Sequence, residues 1–142
     1  MNESDCVLGF DVGARKIGAA VGSRLLRSAR ALEVLPARDG KPDWKAVGRL
    51  LEDWSPALVL VGFPRADDGS EQSAAPIARD FAREVERRFS IPTVLVDERL
   101  SSNEARRRFS ELRRQGLARR RSARELDAIA ARVIVEQWLE NP

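Results

Sequence analysis

A chain of 142 residues, 43% hydrophobic and 33% charged, is expected to form one soluble globular domain over 1–142, and no apolar run approaches the roughly 18 residues of a membrane span. It has no histidine and one cysteine, Cys6, which excludes His-based triads, histidine general bases, ordinary His-containing zinc sites and an internal disulfide. Catalysis must then use carboxylates, hydroxyls, Lys, Arg or a hard metal held by oxygen, and the lone thiol and the lack of a signal-peptide pattern point to a reducing, cytoplasmic setting.

Val7 to Phe10 is a short apolar run that ends on Asp11. A charge at the end of a buried strand is costly unless it is paired, hydrogen-bonded or bound to metal. Ile17 to Val21 reads as a second strand. The five-residue link between Asp11 and Ile17 is far too short for a parallel crossover, so the two form a hairpin. A third strand is expected within Ala29 to Leu35, and Asp39-Gly40 marks a turn.

Asp43 is placed to cap a helix whose apolar residues, Trp44, Val47, Leu50, Leu51 and Trp54, follow helical spacing, with Arg49, Glu52 and Asp53 outward. Pro56 closes it. Leu58 to Val61 is apolar on both faces, as in a parallel strand covered on two sides. After a polar loop, Ile77, Phe81, Val85 and Phe89 recur every four residues, a further helix. Thr93 to Val96 is the next strand, and Asp97-Glu98 follows it.

Ser101 and Glu104 form a capping box that opens a helix stopped by Gly116. Ser122 and Glu125 form another, ahead of a last helix with Leu126, Ile129, Ala130, Val133, Ile134 and Trp138 as its buried stripe. The order βββαβαβα predicts an α/β fold: a mixed five-stranded sheet, three strands antiparallel, with helices on both faces. Ligands in such sheets bind beyond the carboxyl ends of the parallel strands.

Charge is unevenly placed. From Arg106 to Arg124 there are nine arginines and one acid, Glu111, a net of +8, which leaves −5 for the remainder of a chain whose total is +3. Such asymmetry points to a polyanion, although charge runs are commonly solvated faces. At the carboxyl edge, Asp11 and Glu98 end strands that run the same way. Asp127 lies in the first turn of the last helix beside Ala123, Ala130 and Ala131, small residues that let the helix lie close to the sheet. Three such oxygen donors could hold Mg²⁺ or Mn²⁺. Each acid also has a plain structural reading. Asp11 could cap a turn through Gly13, Asp127 could answer the helix dipole, and Asp97 or Glu98 could pair with Arg99.

The sequence resembles the YqgF family, also called RuvX-like, of pre-16S rRNA nucleases and Holliday-junction resolvases. FDVGARKIGAAVG is similar to the family's opening motif, ARDGKPDW, LVLVGFP and DDGSEQ to its middle blocks, VDERLSSNEA to its most diagnostic block, and LDAIAARVIVEQWL to its closing one. The resemblance spans nearly the whole chain and implies an RNase H-like fold. Asp11, Glu98 and Asp127 then correspond to the acidic set that binds metal and carries catalysis, with Asp97 assisting and Arg99 meeting acid or phosphate. Ala14, Phe63 and Glu125 depart from the family pattern without touching that set.

The function implied is a metal-dependent endonuclease acting on structured RNA, in 5′-end maturation of pre-16S ribosomal RNA. Arg15, Lys16, Arg99, Arg106, Arg113, Arg119, Arg120 and Arg121 would bind phosphates. Alternatives are a branched-DNA resolvase with the same chemistry, a non-catalytic nucleic-acid-binding module, and an actin-like phosphate loop, for which the chain lacks a second domain. The expected partners are precursor RNA or branched DNA and no membrane, with the chain as a monomer or weak homodimer.

Overall fold

The structure is a computed structural model that describes residues 5–63, 75–97, 122–140 and 142, and in the last helix the side chains from Ala128 onward. Its strands are β1 (Cys6–Val12), β2 (Lys16–Ser23), β3 (Ser28–Arg38), β4 (Lys41–Pro42), β5 (Leu58–Phe63) and β6 (Thr93–Asp97), and its helices α1 (Trp44–Trp54), α2 (Ala75–Phe89) and α3 (Ser122–Glu140). The sheet order is β4-β3-β2-β1-β5-β6. β1 pairs antiparallel with β2 and parallel with β5, and β5 pairs parallel with β6.

The sheet is mixed, as expected, with six strands instead of five. The addition is β4, a two-residue strand that pairs Lys41 with Arg38 and Pro42 with Ala37. Between them Asp39 (φ 52°) and Gly40 (φ 79°) both take positive φ, the conformation of a tight two-residue hairpin turn. β3 runs on to Arg38, beyond the expected Leu35, and carries Pro36 inside it. The Ala37 N–H donates to the Arg15 carbonyl at 2.8 Å, on the β2 side. The adjacent Pro36 nitrogen therefore faces away from β2, where its missing donor costs no ladder bond.

Side chains alternate along β1 and divide the core in two. Leu8, Phe10 and Val12 pack with Val47, Leu50, Leu51, Phe81, Ala82 and Val85 of α1 and α2. Val7 packs on the other side with Ala20, Leu60, Ala131, Ile134, Val135 and Leu139, under α3. Phe81 anchors the first core: its ring meets Phe10 edge-on at 5.2 Å and stacks on Trp44 at 5.5 Å. Each such side chain taken fully out of water contributes about 1.5–3 kcal/mol.

α1 is capped as its sequence predicts. The Asp43 side chain accepts from the Lys45 N–H at 3.0 Å, and Ser55 closes the helix in the left-handed conformation, donating to the Leu51 carbonyl at 2.8 Å. α3 buries more than the expected stripe. Ala131, Val135 and Leu139 face the sheet, whereas Ala130, Val133 and Ile129 form a separate small cluster. Among the described residues no helix is long and apolar enough to cross a membrane.

Candidate active site at the carboxyl edge of the sheet

Asp11, next to last in β1, pairs with Gly18 of β2. Alternation gives it the same face as Val7 and Gly9, the α3 side, and it is half-buried there. The turn that follows Asp11 is closed by the Gly13 N–H, which donates to the Lys16 carbonyl at 2.8 Å. The β2–β3 register shifts between Gly18 and Ala20, an irregularity beside the partner of Asp11.

The neighbouring strands continue this row. Phe10 is level with Val61, so Asp11 is level with Gly62, which pairs with Val96. Val96 packs on the α3 side. Asp97 pairs with Phe63, whose side chain belongs to the opposite core, so Asp97 stands in a row of the other face. Of the two adjacent acids, the sheet register thus sets Asp97 apart from Asp11.

α3 reaches this edge by lying almost on the backbone of β1 and β2. A Cβ at Gly9 would stand 2.3 Å from Val135 Cγ2 and 3.4 Å from the Ala131 carbonyl oxygen, and one at Gly22 would stand 2.4 Å from Val135 Cγ1. Gly22 is opposite Val7, at the amino end of β1. Going from Val135 to Ala131 along the helix therefore follows β1 from Val7 toward Asp11. Asp127 is four residues, about 6 Å, farther along the same direction. These glycines are what the sequence reading missed. A glycine in a strand marks close backbone approach, and here the sheet yields to the helix at least as much as the alanines of α3 yield to the sheet.

Arg15 and Lys16 are exposed in the β1–β2 turn, at the same edge as Asp11. Glu98, Arg99, Arg106, Arg113, Arg119, Arg120 and Arg121 lie outside the described residues, as do the helix expected from Ser101 and the side chain of Asp127. Among the described residues no three acids, cysteines or histidines gather as a metal set. Cys6 sits at the other end of β1, where burial raises its thiol pKa. Beside it, the Ser23 hydroxyl donates to the Asp5 carboxylate and holds it below the ordinary range, and Asp5 also accepts from the Leu25 N–H at 2.5 Å. Those contacts pin the β2–β3 turn, remote from Asp11.

Comparison with known proteins agrees with this architecture. A family model described as "RuvX: Holliday junction resolvase" matches residues 5–141. A protein of Xanthomonas campestris pv. campestris (strain B100) named "Putative pre-16S rRNA nuclease" is 50% identical over 136 residues, 96% of this chain and 88% of that protein. One of the same name from Xanthomonas axonopodis pv. citri is 49% identical with the same coverage. Among solved structures, the fowlpox virus resolvase in complex with Holliday junction DNA superposes with a TM-score of 0.57 at 11% identity, covering 95% of this chain and 97% of that one. The yeast mitochondrial Holliday junction resolvase gives 0.56 at 13% identity, covering 96% and 78%. At those identities the likeness is one of fold, a resolvase-type RNase H-like sheet. The match from residue 5 to residue 141 and the 50% identity to curated relatives make the chain a member of the RuvX family.

Proposed function

We propose that the protein is a divalent-metal-dependent endonuclease, a hydrolase of phosphodiester bonds, that acts as a single domain in maturing the 5′ end of pre-16S ribosomal RNA. The observation that carries the reading is the position of Asp11, half-buried at the carboxyl edge and facing a helix drawn onto glycine backbone one turn from Asp127. Relatives at about half identity bear the name of that activity. Glu98 follows β6 directly in the sequence and belongs to the block VDERLSSNEA. Asp11, Glu98 and Asp127 together offer only carboxylate oxygens, hard donors suited to Mg²⁺ or Mn²⁺.

Cations held by these acids would activate water and stabilise the leaving oxygen. The protein's own part is placement. Asp11 is fixed by its pairing with Gly18, and α3 brings its first turns to the same edge. Arg15 and Lys16 hold the phosphates next to the scissile bond, and Arg99, Arg106, Arg113, Arg119, Arg120 and Arg121 hold those farther along. Such contacts supply affinity without reading sequence.

A second reading keeps the site and takes branched DNA as substrate. It is favoured by the description of the matching family, and it requires two copies, because resolving a junction needs two incisions. One experiment separates the two. The full chain and its Asp11→Asn variant are incubated with precursor 16S RNA and with a four-way DNA junction, in Mg²⁺, Mn²⁺ or chelator. Metal-dependent cutting of the RNA, absent in the variant, is expected. Preferential cutting of the junction transfers the assignment to the second reading. Binding without cutting in either metal leaves a nucleic-acid-binding module, and undiminished cutting by Asp11→Asn removes the site altogether.

A further inference from the structure

The block ARDGKPDW has no part in the chemistry so far, yet it is folded against the turn beside Asp11. Its hairpin, β3–β4, is tied to the β1–β2 turn by two backbone bonds. The Ala37 N–H donates to the Arg15 carbonyl at 2.8 Å and the Gly40 N–H to the Ala14 carbonyl at 2.9 Å. The β1–β2 turn is closed on itself by the bond from Gly13 to Lys16. Gly40 is buried and packs on α2, where a Cβ would stand 2.2 Å from Ile77 Cγ2. The two turns therefore form one braced unit at the edge that carries Asp11.

This unit is positively charged and open. Arg15, Lys16, Arg38 and Lys41 are all exposed. Asp39 is the acid between them, and the nearby Asp43 carboxylate is engaged in capping α1. None of the ion pairs between described residues includes Arg15, Arg38 or Lys41; Arg83, Arg87 and Arg88 of α2, by contrast, are taken up by Asp80 and Glu84. This concentration of cations lies in the part of the chain that outside Arg106–Arg124 carries net −5. The backbone of a braced turn is already ordered, so a ligand bound there is spared the cost of ordering the loop.

We propose that the β3–β4 hairpin, through Arg38 and Lys41, is a second phosphate-binding arm. It continues the track that begins at Arg15 and Lys16 and grips the nucleic-acid backbone beside the edge that carries Asp11. The inference rests on the nucleic-acid reading above, and its ligand chemistry, a run of backbone phosphates, is shared by RNA and DNA.

The test is the salt dependence of binding in chelator, measured by anisotropy on a labelled structured RNA and a labelled four-way DNA junction. Three proteins are compared: the unaltered chain, R38Q/K41Q, and R24Q/R27Q at the opposite end of the sheet. Each phosphate contact carries about one unit of slope in log K against log salt, and roughly half a decade of affinity between 50 and 200 mM. R38Q/K41Q should therefore bind more weakly at low salt, with a slope smaller by about 2 and a deficit that shrinks on the order of tenfold between about 50 and about 200 mM, while R38K/K41R restores both and the thermal midpoint stays unchanged. Loss for one of the two nucleic acids alone identifies which one uses the arm. Equal loss in R24Q/R27Q reduces the effect to net charge and overturns the proposal. Unchanged binding by R38Q/K41Q overturns it and leaves the nuclease reading standing, whereas an unaltered chain that binds neither nucleic acid ends both.

Discussion

Gly9 of β1 lies directly beneath Val135 of α3, so close that a Cβ at Gly9 would stand 2.3 Å from Val135 Cγ2. Val135 is fully buried and its other methyl rests over Gly22. The pair fixes the height of α3 above the sheet, and with it the distance between the first turn of α3 and Asp11.

Gly9→Ala should therefore cost about 1–3 kcal/mol by overpacking and reduce cleavage more than RNA binding, because the lifted helix carries Asp127 away from the edge. Val135→Ala removes the obstructing methyls. The double variant G9A/V135A should be less destabilised than the sum of the two single changes, since residues in contact couple. Urea denaturation of the four proteins decides it; strictly additive losses would show that this contact does not set the helix height.

Asp11→Asn replaces a carboxylate by a neutral group of the same shape at a half-buried position. The fold should survive with its cooperative transition intact. Cleavage should fall by more than the 10–100-fold typical of losing a residue that merely supports a metal ligand. In chelator, RNA binding should be unchanged or tighter, because a negative charge facing phosphate has been removed. Weaker binding by Asp11→Asn in chelator would mean that the carboxylate organises the RNA surface instead of serving catalysis.

Most of the frame is legible in one dimension. The acid that ends an apolar strand, the Asp43 cap, the doubly apolar β5 and the four-residue recurrence in α2 all report local physics. β4 is not legible, because Lys41 and Pro42 carry no strand signal and pair only after the Asp39-Gly40 turn folds them onto β3. Nor is the reach of β3 through Pro36, which is tolerated only because its nitrogen faces away from β2. At the site, Asp11 is conspicuous, but Gly9 and Gly22 read as weak strand positions until the helix above them is seen. The choice between the adjacent Asp97 and Glu98 depends on sheet register, and the row shared by Asp97 and Phe63 is visible only across strands.

Gly40 tests whether the hairpin must be braced. Its φ of 79° and its contact with Ile77, 2.2 Å from an added Cβ, penalise any side chain twice. Gly40→Ala should destabilise by about 1–3 kcal/mol, and hydrogen exchange should quicken at the Ala37 and Gly40 amides, whose bonds to the β1–β2 turn depend on this packing. Ile77→Ala combined with Gly40→Ala relieves the collision but leaves the backbone strain, so recovery should be partial. Full recovery would show that the positive φ carries no cost.

Glu84 gives a prediction in pH. Its carboxylate accepts from Arg87 Nη2 at 2.8 Å and Nε at 3.1 Å, and from Arg88 Nε at 2.9 Å. Arg87 first, then Arg88, holds its pKa down at about 2, against an ordinary 4.5. A carboxylate depressed in the folded state stabilises that state fully above its unfolded value and progressively less as pH falls toward its folded one. Glu84→Gln should thus lower the thermal midpoint at pH 7 by a small amount, because the pair is exposed and screened by water. That difference should shrink as pH falls from about 4.5 to about 2, and it should shrink at pH 7 in about 1 M salt, where the screening length is near 3 Å. A gap between the two proteins that widens on acidification would contradict the sign, and would place the effect of Glu84 in the packing of Arg88 over Trp44, 4.7 Å from the ring centre, instead of in its charge.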